Sequence, residues 1–357
     1  MSISPTSGHP GIHPHPHPIG YGGAARSGRY GQAIAGLLLG LWLSGCESIG
    51  SKPAANGSAT QGAAQPSVVS TSTILTDLTA QIAENEIQLT GILKPGTDPH
   101  VYEPVPADSR ELEKASLILY NGYNLEPGII NLMNATGVKA RKVAVGEVVS
   151  PLQLDKGQRE TVPDPHVWGN VKNVMQMVGA IRDALIDLSP DDRDRFTQNA
   201  AQLTVQLEEL DQWITQQIQT IPPEKRRLVT THDAFQYYAR AYNLDIIGTL
   251  IGISTEEQPS AQTVQRLVES VKSAQVPAIF AETTINPALI KTVAQEAGVK
   301  LAPRSLYSDS IGAPGSDGES YIKMMVANTR TIVEALGGKV APFQPSRTPQ
   351  NAPQKER

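Results

Sequence analysis

Short apolar runs alternate with helix-like segments along most of this 357-residue chain, and that alternation constrains the fold more than any other feature. Residues 117–120 and 227–231 read as buried strands, and helical periodicity follows each of them. Strands that alternate with helices form parallel sheets covered by helices. Other runs predict strands at 68–72, 142–145, 246–251 and 278–280, and helices ending near 84 and spanning 233–242, 262–274, 287–297 and 320–336. The fold class predicted is therefore α/β.

The stretch from Val171 to Ile221 departs from this alternation. It contains no glycine after Gly179, and only Pro190 interrupts its helical character. Ser189, Pro190 and the two following aspartates are typical of a helix start, because they combine a cap, a first-turn proline and acids near the positive dipole end. We predict helices at 171–188 and 191–219. The second would be long enough to cross the molecule and join two lobes rigidly.

The N-terminal region reads as an export signal. Arg26 and Arg29 precede an apolar run of 11 residues at 33–43, which is too short to span a bilayer as a helix but suits a signal peptide. The run ends in Leu43-Ser44-Gly45-Cys46, which resembles the lipobox of bacterial lipoproteins. Cys46 is the only cysteine, so an intrachain disulfide and a cysteine-cluster metal site are excluded. We expect Cys46 to carry lipid that anchors the exported chain to the membrane, on the periplasmic or cell-surface side. A plain signal peptide with an incidental cysteine is the alternative.

Composition sets the remaining boundaries. Residues 46–66 are small and polar, which indicates a flexible tether, and residues 339–357 read as a disordered tail. The predicted division is a lipoprotein-type signal peptide at 1–45, the tether at 46–66, an N-terminal α/β lobe at 67–190, a linking helix at 191–221, a C-terminal α/β lobe at 222–338, and the tail. The net charge of −5 gives no basic surface for nucleic acid, and we expect a monomer.

Only three histidines follow the predicted cleavage site, namely His100, His166 and His232. Each lies at an edge between predicted elements. His100 and His166 both stand in Asp-Pro-His, where proline restricts the backbone before the imidazole. His232 directly follows a predicted strand, and sites in open α/β sheets form beyond the carboxyl ends of strands. From spacing alone, a metal site and a set of surface or structural histidines remain equally open.

Six segments carry a resemblance to a known family. They are residues 96–104, 121–126, 164–168, 231–235, 280–287 and 306–309, and they span nearly all of residues 67 to 338. With them the chain resembles the cluster-nine family of ABC-transporter substrate-binding lipoproteins, which serve zinc and manganese uptake. The resemblance implies two lobes, each with a mainly parallel sheet, a long connecting helix, and a metal held between the lobes. It also implies a membrane permease as partner.

Carried over position by position, the resemblance implies His100 and His166 as metal ligands in the first lobe and His232 and Asp309 in the second. Three imidazoles and one carboxylate suit four-coordinate zinc. Many manganese members of the family carry glutamate in place of His232, whereas many zinc members carry a histidine-rich loop that residues 101–165 lack. The imidazole at position 232 therefore favours zinc, whereas the missing loop argues against the commonest zinc subtype, and manganese remains the alternative.

Other residues carry weaker expectations. Glu282 is a candidate hydrogen-bond acceptor for a metal ligand, or an edge carboxylate that fixes a loop. Asp98 and Asp164 orient the neighbouring imidazoles or cap turns. Trp168, Phe235 and Tyr237 are expected to shield the site from water. Glu256 and Glu257 read as a solvated face, with contact to a permease as the lesser alternative.

Two rival functions compete with metal transport. A zinc hydrolase needs an open coordination position for water and a general base, and the chain has no His-Glu-x-x-His helix. A metal-binding surface adhesin is the second rival, although no segment indicates an adhesive face. We therefore expect a binding protein and not an enzyme.

Overall fold

The computed structural model describes residues 65–135, 138–157 and 160–345. The predicted signal peptide, Cys46 and nearly all of the predicted tether lie outside these residues. Within them, no helix is both long and apolar enough to cross a membrane.

The N-terminal lobe is built on a four-stranded parallel sheet in the order β2-β1-β3-β4. Its elements are β1 (Ser67–Ser70), α1 (Thr73–Ala83), β2 (Gln88–Gly91), α2 (Pro106–Lys114), β3 (Leu117–Tyr120), α3 (Pro127–Ala135), β4 (Arg141–Ala144), the antiparallel pair β5 (Gln153–Gly157) and β6 (Glu160–Pro163), and α4 (Val171–Leu188). The central strands β1 and β3 are largely buried on both faces, in keeping with the two valines of β1 and the apolar run of β3.

A single long helix, α5 (Arg193–Gln219), runs from this lobe to the next. Its 27 residues correspond to about 40 Å. The predicted start signal at Ser189 forms a short 3-10 turn first, in which Ser189 donates a hydrogen bond to Asp192, so the α-helix begins two residues later than predicted. α5 packs against α1 and α4 on one side and against helices of the C-terminal lobe on the other.

The C-terminal lobe repeats the parallel arrangement with shorter strands. Its elements are β7 (Arg227–Thr230), α6 (Gln236–Tyr242), β8 (Asp245–Thr249), α7 (Ala261–Ser273), β9 (Ala278–Ile279), α8 (Ala288–Ala297), β10 (Lys300–Leu301) and α9 (Tyr321–Ala335). β7 pairs with β8 and β9 with β10, all parallel. The Phe280 amide donates to the Val229 carbonyl at 2.9 Å, which sets β9 beside β7. Strand order therefore reverses between β7 and β9, as it does between β1 and β3.

The lobes share one continuous hydrophobic core. Side chains of α1, α4, α5 and α9 meet in it, including Leu78, Ile181, Leu207 and Met325. Two smaller clusters fill the outer layers, one around Ile118 in the first lobe and one under α7 and α8 in the second. The predicted fold class is confirmed, with two α/β lobes and a long joining helix, and this shared core makes the junction between them extensive.

The first residues of the predicted tail contact the domain, which differs from the disorder that their composition predicts. Trp213 Nε1 on α5 donates to the Ala341 carbonyl at 3.0 Å, and the Ala341 amide donates to Gln217 at 2.8 Å. The Phe343 ring meets the Trp213 ring edge-on, with centroids 5.5 Å apart. The composition of the segment does not predict this contact, because it depends on the single aromatic residue Phe343, which packs against Trp213 of α5. The chain is therefore ordered against the domain beyond residue 339, at least to Phe343.

Candidate metal centre

Three histidines and one aspartate from four separate segments converge at the boundary between the lobes. They are His100, His166, His232 and Asp309, and one ligand atom from each lies within 4.8 Å of the others. All four side chains are buried. The structure thus brings together all four residues that the sequence resemblance singled out.

Both Asp-Pro-His segments fold into the same local turn. In each, an aspartate oxygen accepts the amide of the histidine two residues later, at 3.0 Å from Asp98 to His100 and at 3.0 Å from Asp164 to His166. Such turns are typical of aspartate, and the intervening proline restricts the backbone further. Asp164 does more than Asp98, because its same oxygen also lies 2.7 Å from Nδ1 of His166.

His232 and Glu282 occupy the point where strand order reverses in the C-terminal lobe. His232 follows β7, and Glu282 follows β9, so both lie beyond the carboxyl ends of neighbouring strands. One oxygen of Glu282 accepts the His232 amide at 2.8 Å, and the other contacts Nδ1 of its ring. A carboxylate at Nδ1 favours the tautomer that leaves Nε2 free to bind a metal.

Asp309 reaches the cluster through a loop that is fixed to both lobes. Leu306 pairs beside Glu282 in a parallel bridge, which carries the chain towards the site three residues later. The next residue, Ser310, accepts the Gly96 amide at 2.8 Å and lies 3.1 Å from the Thr73 hydroxyl. Because Gly96 and Thr73 belong to the first lobe, these contacts hold the Asp309 loop against the loop that carries His100.

Three of the separations between ligand atoms are close to those of a compact metal site. Nε2 of His100 lies 3.2 Å from Nε2 of His166, and the Asp309 oxygens lie 3.4 Å and 3.2 Å from Nε2 of His166 and His232. A tetrahedron with zinc–ligand distances of about 2.0–2.1 Å has edges of about 3.3 Å. Within the described residues, Nε2 of His232 and both Asp309 oxygens make no hydrogen bond of good geometry, and their close contacts are with one another and with His166. Buried polar atoms are nearly always satisfied, so this donor set fits a bound divalent cation.

Protonation of the metal-free cluster is set by its carboxylates. Burial would lower the pKa of His166, but Asp164 and Asp309 outweigh burial and raise that pKa to about 9. Burial would also lower the pKa of His232, but Glu282 and Asp309 outweigh burial and raise that pKa well above its usual value. Burial would raise the pKa of Asp309, but the two imidazoles hold it well below its usual range. A metal must therefore displace protons from His166 and His232.

His100 differs from the other two histidines. Burial lowers its pKa to about 3, and its Nδ1 has no hydrogen-bond partner in the part of the chain that the structure describes. It is 3% exposed, whereas His166 and His232 are fully buried. His100 also lines a cleft of about 530 Å³ that opens beside the cluster.

Aromatic side chains that do not line this cleft pack around the segment that carries His166. Trp168 stands edge-on to the His166 ring at 5.4 Å, and its Nε1 donates to the Ser308 carbonyl at 2.9 Å. The Tyr237 hydroxyl donates to the Asp164 carbonyl at 3.0 Å, which supports the turn that carries His166. Phe235 is buried one layer further out, against Tyr238. These contacts exclude water from the His166 side of the cluster.

The sequence reasoning assigned no role to three residues that the structure sets near the site. Ser310 fixes the Asp309 loop, and its position next to Asp309 was the only available signal. Glu126 is fully buried and accepts hydrogen bonds from the Thr71 hydroxyl at 2.5 Å and the Asn121 amide at 2.8 Å. Glu147 lines the cleft beside His100. Glu256, for which the sequence predicts a solvated position, is exposed and lines the same cleft.

The family model for the periplasmic zinc-uptake complex component A matches residues 68–335. The chain belongs to this family. The matched residues cover both lobes and the joining helix. The family resemblance that the sequence indicated is therefore confirmed.

Individual relatives agree with the family match. The chain is 35% identical over 304 residues to the zinc-binding protein TroA of Treponema pallidum, with 84% of this chain and 96% of that protein covered. It is 35% identical over 269 residues to the manganese-binding lipoprotein MntA of Halalkalibacterium halodurans, with coverage of 75% and 88%. The solved structure of the periplasmic zinc-binding protein TroA from Treponema pallidum superposes with a TM-score of 0.72 and 34% identity, over 76% of this chain and 99% of that one.

Proposed function

We propose that this protein captures a divalent transition metal outside the cytoplasm and delivers it to the membrane permease of an ABC transporter. The observation that carries the proposal is the convergence of four buried donor groups from both lobes, with ligand atoms within 4.8 Å of one another. His100, His166, His232 and Asp309 are the proposed ligands. The metal is the cargo of the protein, and the shared position between lobes links its capture to their relative arrangement.

Zinc is the favoured cargo, and manganese is the alternative. Three imidazoles with one carboxylate form the nitrogen-rich, four-coordinate environment that zinc accepts readily. Manganese prefers more oxygen donors and higher coordination. The relatives are named for both metals. The argument for zinc therefore depends on His232, because many manganese members of the family carry glutamate at this position. A carboxylate there would make the ligand set equally nitrogen and oxygen.

The proposal treats the protein as a carrier and not as an enzyme. A catalytic zinc site has three protein ligands and an open position for water. Four protein donors here close that position. Metal-dependent hydrolysis of ester or peptide substrates by the zinc-loaded protein would contradict this part of the proposal, and so would binding of a host ligand that depended on metal loading, as an adhesin requires.

The proposal also includes a lipid anchor at Cys46, a tether before the domain, and a monomeric state. The name of the manganese-binding relative from Halalkalibacterium halodurans includes the word lipoprotein, and so do the names of several other relatives, which supports the interpretation of residues 43–46 as a lipobox. Cys46→Ser should move the protein to the soluble fraction and leave metal binding intact. A chain that begins at Pro66 should bind metal with unchanged affinity, and light scattering should give the mass of one chain.

The decisive experiment for the function is a competition titration of the soluble domain with zinc and manganese, combined with elemental analysis of the purified protein. We expect one metal per chain and tighter binding of zinc. Failure of both metals to bind at a stoichiometry of one would overturn the proposed function.

A further inference from the structure

The four proposed ligands are buried, so a metal needs a route to them. The cleft of about 530 Å³ beside the cluster is lined by His100 and by none of the other three ligands. Cavities of about 740 Å³ and 260 Å³ elsewhere in the described residues touch no proposed ligand. A single water occupies about 10–15 Å³ on this measure, so the cleft has room for a divalent cation with its full first hydration shell.

The cleft is bounded by both lobes and carries a one-sided charge. Its walls include Tyr123, Glu147 and Val162 from the first lobe, and Ile253, Ser254 and Glu256 from the second. The two glutamates are exposed. No lysine or arginine of the described chain lines the cleft. Clefts that are lined by one sign of charge concentrate ions of the opposite sign and raise their association rates.

The backbone around Glu147 is built to hold that carboxylate at the cleft. Gly122 has a φ of +85°, and a Cβ at this position would lie 2.6 Å from Cγ of Glu147. Only glycine allows the loop after β3 to pass so close beneath the Glu147 side chain. Tyr123 and Asn124 continue with φ of 51° and 57°, and the Tyr123 amide donates to the Glu147 carboxylate at 3.2 Å. Three successive left-handed residues are costly, and here they form one wall of the cleft.

From this geometry we infer that the cleft is the access route for the metal, with Glu147 and Glu256 drawing the hydrated dication towards His100, which it meets first. The route rests on the proposed metal-binding function and goes beyond it, because a closed site could also fill by separation of the lobes. The two glutamates act on the rate of capture and not on coordination. Anionic metal complexes would be repelled at the same mouth.

The test measures zinc and manganese association by stopped-flow competition with a fluorescent chelator. Glu147→Gln/Glu256→Gln is compared with Glu113→Gln/Glu269→Gln, which removes two exposed charges from α2 and α7, away from the cleft. We expect association with the cleft variant to slow by the order of tenfold at low salt. The difference should disappear at about 1 M salt, where the Debye length is about 3 Å. Dissociation rates should stay within about twofold, because steering acts on encounter.

A second variant tests the route sterically. Ile253→Trp enlarges an apolar side chain in the cleft wall and should slow association and dissociation together, with little change in affinity. Equal association rates for the two double-glutamine variants, or a loss that persists in high salt, would overturn the inference. Failure of the parent protein to bind either metal would instead overturn the proposed function, so the two failures are distinguishable.

Discussion

Replacing Glu282 with glutamine tests how the cluster is held in a metal-binding state. Both carboxylate oxygens of Glu282 contact His232: one accepts the hydrogen bond of the His232 amide, and the other contacts Nδ1 of the imidazole. Glutamine has the same shape but only one acceptor, so its NH₂ group must face one of these two N–H donors. The conflict is relieved if the imidazole moves its proton from Nδ1 to Nε2, which removes the metal-binding lone pair.

The expected loss follows from that conflict. Mutations of groups that orient a metal-bound histidine reduce metal affinity by about 10–100-fold, or about 1.4–2.8 kcal/mol. Asp164→Asn is the matched control, because a single oxygen of Asp164 contacts both the amide and Nδ1 of His166, while the other oxygen has no hydrogen-bond partner among residues 65–135, 138–157 and 160–345. The asparagine carbonyl can take over both contacts, so this variant loses the charge without the donor conflict.

Isothermal titration with a competing chelator would measure zinc affinity for the parent and both variants at one pH. We expect Glu282→Gln to weaken zinc binding clearly more than Asp164→Asn does. Equal losses would mean that charge, and not the placement of two acceptors, sets the contribution of these carboxylates. A larger loss in Asp164→Asn would refute the reasoning outright. Glu296→Gln, on the exposed face of α8, should change nothing.

Three further predictions follow. Asp164 and Asp309 raise the pKa of His166 to about 9, and Glu282 and Asp309 hold the pKa of His232 well above its usual value. Zinc binding should therefore release about two protons near neutral pH, and affinity should fall as pH decreases; calorimetry in buffers of different ionisation enthalpy would measure the release. His232→Glu should narrow the zinc preference over manganese by roughly tenfold, or about 1–2 kcal/mol, in competition titrations. Burial raises the pKa of Glu126 to about 7. Ionisation of this carboxyl should therefore lower the free energy of unfolding of the metal-free protein as pH rises from about 4.5 to 7, by up to about 3 kcal/mol. Glu126→Gln should abolish this pH dependence, which denaturant unfolding at several pH values would measure.

Much of the fold was predictable because its signals are local. The apolar runs that became β1, β3, β7 and β8 were recognisable by length and flanking residues, and the uninterrupted helical pattern predicted α5 nearly to its ends. The elements missed were β2, α2, α3, the β5–β6 pair and the two-residue strand β10. β2 is a half-exposed edge strand of four residues, and β5 and β6 pair with each other in a separate two-stranded ribbon. None of these three strands has the apolar run by which a buried strand is recognised.

The site was predictable only in part from residue chemistry. The three histidines drew attention by their scarcity and by two Asp-Pro-His turns, whereas Asp309 lies among other loop acids and was reachable only through the family resemblance. The contacts that fix these residues are non-local. Ser310 joins Gly96 across 214 positions, and Glu282 joins His232 across 50. No local pattern encodes such pairs, and the same holds for the charges at the cleft, where Glu147 and Glu256 come from different lobes.

X-ray absorption at the zinc edge on the zinc-loaded parent protein tests the central claim most directly. We expect one zinc per chain, with three imidazole nitrogens and one carboxylate oxygen as its ligands at about 2.0–2.1 Å. His232→Ala should lose one imidazole from that set and bind zinc more weakly. A six-coordinate shell dominated by water oxygens, or an unchanged shell and affinity in His232→Ala, would contradict the account.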